Sequence, residues 1–195
     1  MERKRLTMSE RKNLEDNFSE SPLSFFNDEY FMRAALRLAE RAAVDGEVPV
    51  GAVAVKDGGI IARAWNQVEL LKDATAHAEI LVLTAAANFL GDWPMDGVTV
   101  YVTKEPCAMC AGAMVNARLG ACVFACPDPR MGAAGSALDV TAFPGMLHTV
   151  HVQSGLLADE ARSLLQTFFR NRRNGAANPH SHPPHPNGNP CDCLG

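Results

Sequence analysis

Apolar residues recur at helical spacing through Phe31, Ala34, Ala35, Leu38 and Ala42, while Arg33, Arg37, Glu40 and Arg41 take the opposite side. That period predicts an amphipathic helix, opened by Asn27 or Asp28 as N-cap and stopped at Asp45-Gly46. The pattern then changes. Val50-Gly51-Ala52-Val53-Ala54-Val55 is apolar throughout, as expected of a strand covered on both faces. Asp57-Gly58-Gly59 reads as a hairpin turn and Ile60 to Trp65 as the return strand. A polar loop after Asn66 leads to a largely buried helix over Ala76 to Ala87. Val98 to Val102 predicts a strand, a helix ending near Arg118-Leu119-Gly120 follows, and Ala121 to Ala125 predicts a fourth strand. Strand, helix, strand in that order implies a parallel crossover. Pro127 to Ser136 is a loop past a strand end, where sites in such folds collect. Leu147 to Val152 is predicted as a fifth strand. A last helix is predicted over Ala158 to Arg170, with Leu157, Ala161, Leu164, Leu165 and Phe168 as its buried stripe.

The two ends break this patterning. Residues 1–24 interleave Arg3, Lys4, Arg5, Arg11 and Lys12 with acids, which predicts a disordered extension too acidic for a transit peptide. Residues 174–195, rich in Pro, Asn, Gly and His, predict a disordered tail. Residues 25–173 remain as one domain. A net charge of -4 gives no global nucleic-acid signature, so any RNA contact must rest on a local basic patch. Arg170, Arg172 and Arg173 form one such patch, or else simply answer the dipole at a helix C-terminus. No apolar run is long enough to span a membrane, so none is expected as a partner. Without a secretory signal, the six cysteines point to a reduced, cytoplasmic setting. Cys122 and Cys126 are expected as buried thiols, and His148 and His151 as structural or exposed.

Candidate chemistry concentrates in two stretches, Thr75-Ala76-His77-Ala78-Glu79 and Glu105-Pro106-Cys107-Ala108-Met109-Cys110. One imidazole and two thiolates are a ligand set that suits zinc and leaves a fourth tetrahedral position open. A catalytic site gives that position to water, whose pKa the metal lowers to about 7. Glu79, two residues past His77, reaches such a water without binding the metal, where a proton shuttle belongs. Pro106 fits the first turn of a helix, with Cys107 and Cys110 three apart on one face of it. Both ligand-bearing helices start at the metal, and their N-termini favour anionic ligands.

H-x-E followed by P-C-x-x-C is the signature of zinc deaminases of bases. The surroundings sharpen the likeness. Glu47-Val48-Pro49-Val50-Gly51-Ala52-Val53, the two stretches above, Gly132-Ala133-Ala134-Gly135-Ser136 and Phe168-Phe169-Arg170 closely resemble bacterial tRNA adenosine deaminases, over roughly residues 25 to 173. The resemblance implies a three-layer α/β/α sandwich with a five-stranded mixed sheet, like that of cytidine deaminases. It implies a homodimer with one zinc ion per subunit, acting on the wobble adenosine in the anticodon stem-loop of an arginine tRNA. By position, His77, Cys107 and Cys110 would hold zinc. Glu79 would carry protons from the metal-bound hydroxide attacking C6 to the ring nitrogen and the departing amine. Asn66 would bond the base or its ribose, the Ala78 amide would read the base edge, and Glu47 and Val48 would form pocket wall. Asp128 matches an RNA-contacting acid, and Arg170, Arg172 and Arg173 would meet phosphates. Lys104, Ala74, Arg130 and Met131 depart from the family pattern. Two readings compete: a deaminase of a free base or nucleotide, and a non-catalytic zinc protein for which Glu79 would have no use.

Overall fold

The computed structural model describes residues 27–175; the expectations for the N-terminal extension and for residues 176–195 lie outside them. The first helix, α1 (Asp28–Val44), is capped by Asn27, whose side-chain oxygen accepts the Tyr30 N–H at 3.0 Å. β1 (Gly51–Lys56) and β2 (Gly59–Trp65) form the hairpin. Its turn residues Asp57 and Gly58 take φ of 49° and 74°, the left-handed pair whose twist matches that of the strands. A short helix, α2 (Val68–Leu71), occupies the stretch expected to be loop. Then follow α3 (Ala78–Leu90), β3 (Thr99–Lys104), α4 (Ala108–Asn116), β4 (Ala121–Cys126), β5 (His151–Ser154) and α5 (Ala158–Arg173).

The strands lie in the order β2-β1-β3-β4-β5. β1 pairs antiparallel with β2 and β3, while β3–β4 and β4–β5 are parallel, so the sheet is mixed as expected. Side chains alternate across it with the period of two that a strand imposes. Ala52, Ala54, Val100, Val102, Cys122 and Phe124 pack under α3 and α4. Val53, Val55, Tyr101, Val123 and Ala125 face α1 and α5. Gly51 is where α1 presses closest: a Cβ there would stand 2.2 Å from the Ala35 carbonyl oxygen.

Four local expectations are corrected. The fifth strand begins at His151 rather than Leu147, because residues 147–150 run irregularly, pinned by the Val150 N–H on Thr141 O at 3.0 Å. α5 continues to Arg173, and only Ala161 and Phe168 of its stripe are fully buried. Pro106 precedes the helix, whose N-cap is Cys107. The loop after Asn66 is interrupted by α2, for a reason found in Glu47. Cys122 and Cys126 are buried free thiols. His148 is half-buried against Leu119 O at 2.7 Å, and His151 is exposed. Among the described residues no helix is long and apolar enough to cross a membrane.

Antiparallel pairing brings the start of β1 beside the ends of β2 and β3, since Gly51 opposes Trp65 and Ala52 opposes Val102. The N-termini of α3 and α4 open at that same end. Segments distant in sequence therefore meet at one rim of the sheet.

Candidate active site

His77 is the N-cap residue of α3 and Cys107 that of α4, each with extended backbone and no side-chain capping bond. Their side chains are thus free to turn toward each other across the gap between the helices. His77 Nδ1 stands 3.5 Å from Cys110 Sγ and 3.7 Å from Cys107 Sγ, and the two sulfurs are 3.6 Å apart. A tetrahedral ion bonded at about 2.3 Å to sulfur and 2.0–2.1 Å to nitrogen sets edges of about 3.8 and 3.6 Å. The donors therefore occupy three corners of a metal site whose fourth corner no protein donor fills among the described residues.

Cys107, hydrogen-bonded with Cys110 and lying beside His77, is pushed down to about 3. Cys110 is pushed up, first by its bond to Cys107 and then by burial. The bond to Cys107 raises His77 above the ordinary histidine value despite partial burial. Glu79, in the first turn of α3, is 4% exposed; burial raises its carboxyl, against the pull of the His77 charge.

These groups open into a cavity of about 400 Å³, within the range of small-ligand sites. Glu47, Val48 and Asn66 line it with His77, Glu79 and Cys107. Its far wall comes from α5, with Phe168, Phe169 and Arg172. Arg172 is held there by its bond to Gly46 O at 3.2 Å and lies over the Phe168 ring. Ala78 begins α3 behind His77, fully buried, its N–H among the first-turn donors that lack an intrahelical partner.

Arg170 and Arg173 do not share that wall. Three residues apart, they project from another face of α5 and line a neighbouring groove of about 680 Å³ with Arg130 and Arg162. Phe169 borders both spaces. No acid lines this groove, although Arg162 pairs with Asp159 at 2.6 Å beside it.

Asp128 lies outside the cavity lining, in the loop after β4. Its Oδ1 accepts the Arg130 and Met131 amides at 3.0 and 3.2 Å, and Oδ2 pairs with Lys104, which does line the cavity. Burial opposes the charge, yet Lys104 and those amides hold the carboxyl below the ordinary aspartate value.

Glu105, assigned no role from sequence, organises that loop. Its buried carboxylate accepts the amides of Asp128 (2.8 Å), Ala134 (3.2 Å) and Ser136 (3.0 Å). Gly132 is required beside it, since a Cβ there would come within 2.3 Å of the carboxylate. The signal was present: a charge directly after an apolar strand, beside a glycine-rich loop. Arg130 and Arg162 carried no comparable mark.

The arrangement can hold a soft divalent metal, keep an acid beside it and enclose a flat ring between apolar walls. Residues 26–173 match the model of the MafB19-like deaminase family. The tRNA-specific adenosine deaminase of Bacillus subtilis is 44% identical over 146 residues, spanning 75% of this chain and 91% of that protein. A solved tRNA:A34 deaminase, described for A-to-I editing at the wobble position of transfer RNA, superposes with a TM-score of 0.68 and 42% identity. That likeness covers 70% of this chain and 99% of the other. A guanine deaminase from Nitrosomonas europaea superposes with a TM-score of 0.63 at 25% identity, over 73% of this chain and 84% of its own.

Proposed function

Because this chain belongs to the tRNA-specific adenosine deaminase family, we propose that it converts the wobble adenosine of an arginine tRNA to inosine. One observation carries the reading: the buried Glu79 carboxyl opens into the same cavity as the His77–Cys107–Cys110 triangle. We take the metal as zinc, one per subunit, held by those three side chains, which suit it in softness and spacing. When bound, zinc supplies the Lewis acidity that makes water nucleophilic near neutral pH.

Glu79 takes a proton from water as its oxygen bonds to C6, and delivers it to ring nitrogen N1. The proton of the new hydroxyl follows through the same carboxylate to the amine. The C6–N6 bond breaks and ammonia leaves, so adenosine and water become inosine and ammonia. The Ala78 amide reads the base edge, Asn66 meets the nucleoside, and Val48 and Phe168 enclose the ring. Arg172 approaches the backbone at the cavity mouth, with Asp128 alongside. Arg170 and Arg173 continue that path into the basic groove, where phosphates of the anticodon stem-loop can follow Phe169 out of the cavity. An adenine inside a stacked helix could not reach Glu79, so a splayed loop base is the substrate form required.

We also propose a homodimer built on the α3–α4 layer, where Phe89, Trp93 and Met109 stand exposed. A sedimentation experiment finding only monomer at micromolar concentration would overturn it. The likeness to a guanine deaminase supports a second reading, hydrolysis of a free base.

The test is inosine formation in an arginine tRNA with adenosine at the wobble position and in the same tRNA with guanosine there, beside free adenosine, cytidine and guanine. Inosine in the first tRNA alone is expected. Guanine turnover with both tRNAs silent would replace the substrate.

A further inference from the structure

Asn66 follows β2, its backbone N–H bonded to Val50 O at 2.9 Å and its side chain 6% exposed. Its Nδ2 donates to Glu47 Oε2 at 3.0 Å. Glu47 is fully buried, and its carboxylate also accepts the backbone amides of Glu69 (3.1 Å) and Leu70 (2.7 Å) at the start of α2. Backbone amides can only donate, so two of the three bonds fix this carboxylate as an acceptor. The end of Asn66 that meets it is therefore its NH2 group. Chemistry, not a choice of amide flip, sets that orientation.

The amide oxygen consequently faces the other way. No side chain or backbone group among the described residues donates to it, and it is not a sealed-off buried atom. It opens on the cavity that Asn66 and Glu47 line with His77 and Glu79. What meets it must be a hydrogen-bond donor.

An adenosine within an RNA chain has two kinds of donor, the exocyclic amine and the 2′-hydroxyl. The amine sits on the carbon under attack, at Glu79 and the metal cluster, and Asn66 bonds to none of those residues. The 2′-hydroxyl remains. Resting on the RNA reading above, we propose that Glu47 is a positioning residue: it locks the Asn66 oxygen toward the sugar, so that the cavity selects ribose over deoxyribose at the target nucleotide. The 2′-hydroxyl is the group by which a protein separates RNA from DNA at one position.

The experiment compares kcat/KM on two stem-loop RNAs that differ only in adenosine or 2′-deoxyadenosine at the target. It uses zinc-loaded full-length wild type, Glu47→Gln, Glu47→Asp and Asn66→Ala, with a melting curve for each. Wild type should favour the ribo substrate by about tenfold, the worth of one hydrogen bond. In Glu47→Gln the new carboxamide no longer fixes which end of Asn66 faces the sugar. Because a 2′-hydroxyl can also accept from an NH2 group, that variant should lose part of the preference, chiefly through a higher KM on the ribo substrate. Glu47→Asp keeps a carboxylate and should retain the preference, while Asn66→Ala should abolish it even if Glu47→Gln fails to fold. A merely structural Glu47 would lower melting temperatures and leave the ratio unchanged, and that result overturns the proposal alone. Guanine turnover without inosine from either RNA would overturn the RNA reading as well.

Discussion

Glu47, Glu79 and Glu105 are all nearly inaccessible around one rim of the sheet, and their hydrogen bonds separate their duties. All three line the cavity, but Glu47 is engaged by Asn66 and α2 and Glu105 by the loop after β4, whereas Glu79 sits beside the metal donors, bonded to Cys110. Truncating Glu79 should therefore remove chemistry without removing the metal. Glu79→Ala is expected to lower turnover by about 10²–10⁴-fold, the usual worth of a general acid–base. Zinc content should stay at one per subunit, checked by elemental analysis of the same sample; loss of both together would make Glu79 a ligand. At this scale the metal donors were legible because each half of their motif is local. Glu105 and Lys104 were not, since their partners lie more than twenty residues away and only strand pairing unites them.

Between elements, the bond that ties α1 to the sheet is the Tyr101 O–H donating to Asp28 Oδ1 at 2.6 Å. Burial, and then this bond, push the phenol well above its ordinary value. The folded state therefore keeps Tyr101 protonated at pH values where the unfolded chain, near pH 10, ionises. Its stabilisation is complete below about pH 10 and declines as pH rises through that value. Tyr101→Phe should melt lower than wild type at pH 8, and the gap should narrow at pH 11. A constant gap would show that the hydroxyl acts only by packing. The main elements followed from hydrophobic period, but α2 was not foreseen and β5 was foreseen four residues early. α2 owes its existence to a carboxylate about twenty residues upstream that caps its amides, and β5 forms only where β4 offers an edge. Neither cause leaves a periodic trace in the local sequence.

For the molecule as a whole, net charge misleads. The total of -4 coexists with a groove lined by Arg130, Arg162, Arg170 and Arg173 and by no acid. Binding of a tRNA stem-loop should weaken with salt, and each phosphate contact removed should flatten the log–log slope by about 0.7–0.9. Replacing Arg170 and Arg173 by glutamine is expected to reduce the slope by one to two such steps, measured by fluorescence anisotropy; an unchanged slope would place the RNA elsewhere. The parallel crossover was readable from element order and the mixed sheet was implied by the family resemblance, whereas the split of the three C-terminal arginines between two spaces was not legible. Their spacing on one helix decides it, and only the position of α5 against the cavity reveals which face is which. Every proposed metal donor precedes α5 in the chain, yet Phe168, Phe169 and Arg172 close the cavity only once α5 docks. The metal triangle and the wall that completes the cavity are thus separable in sequence, and a chain shortened before α5 would keep every proposed metal donor while leaving the cavity open on that side.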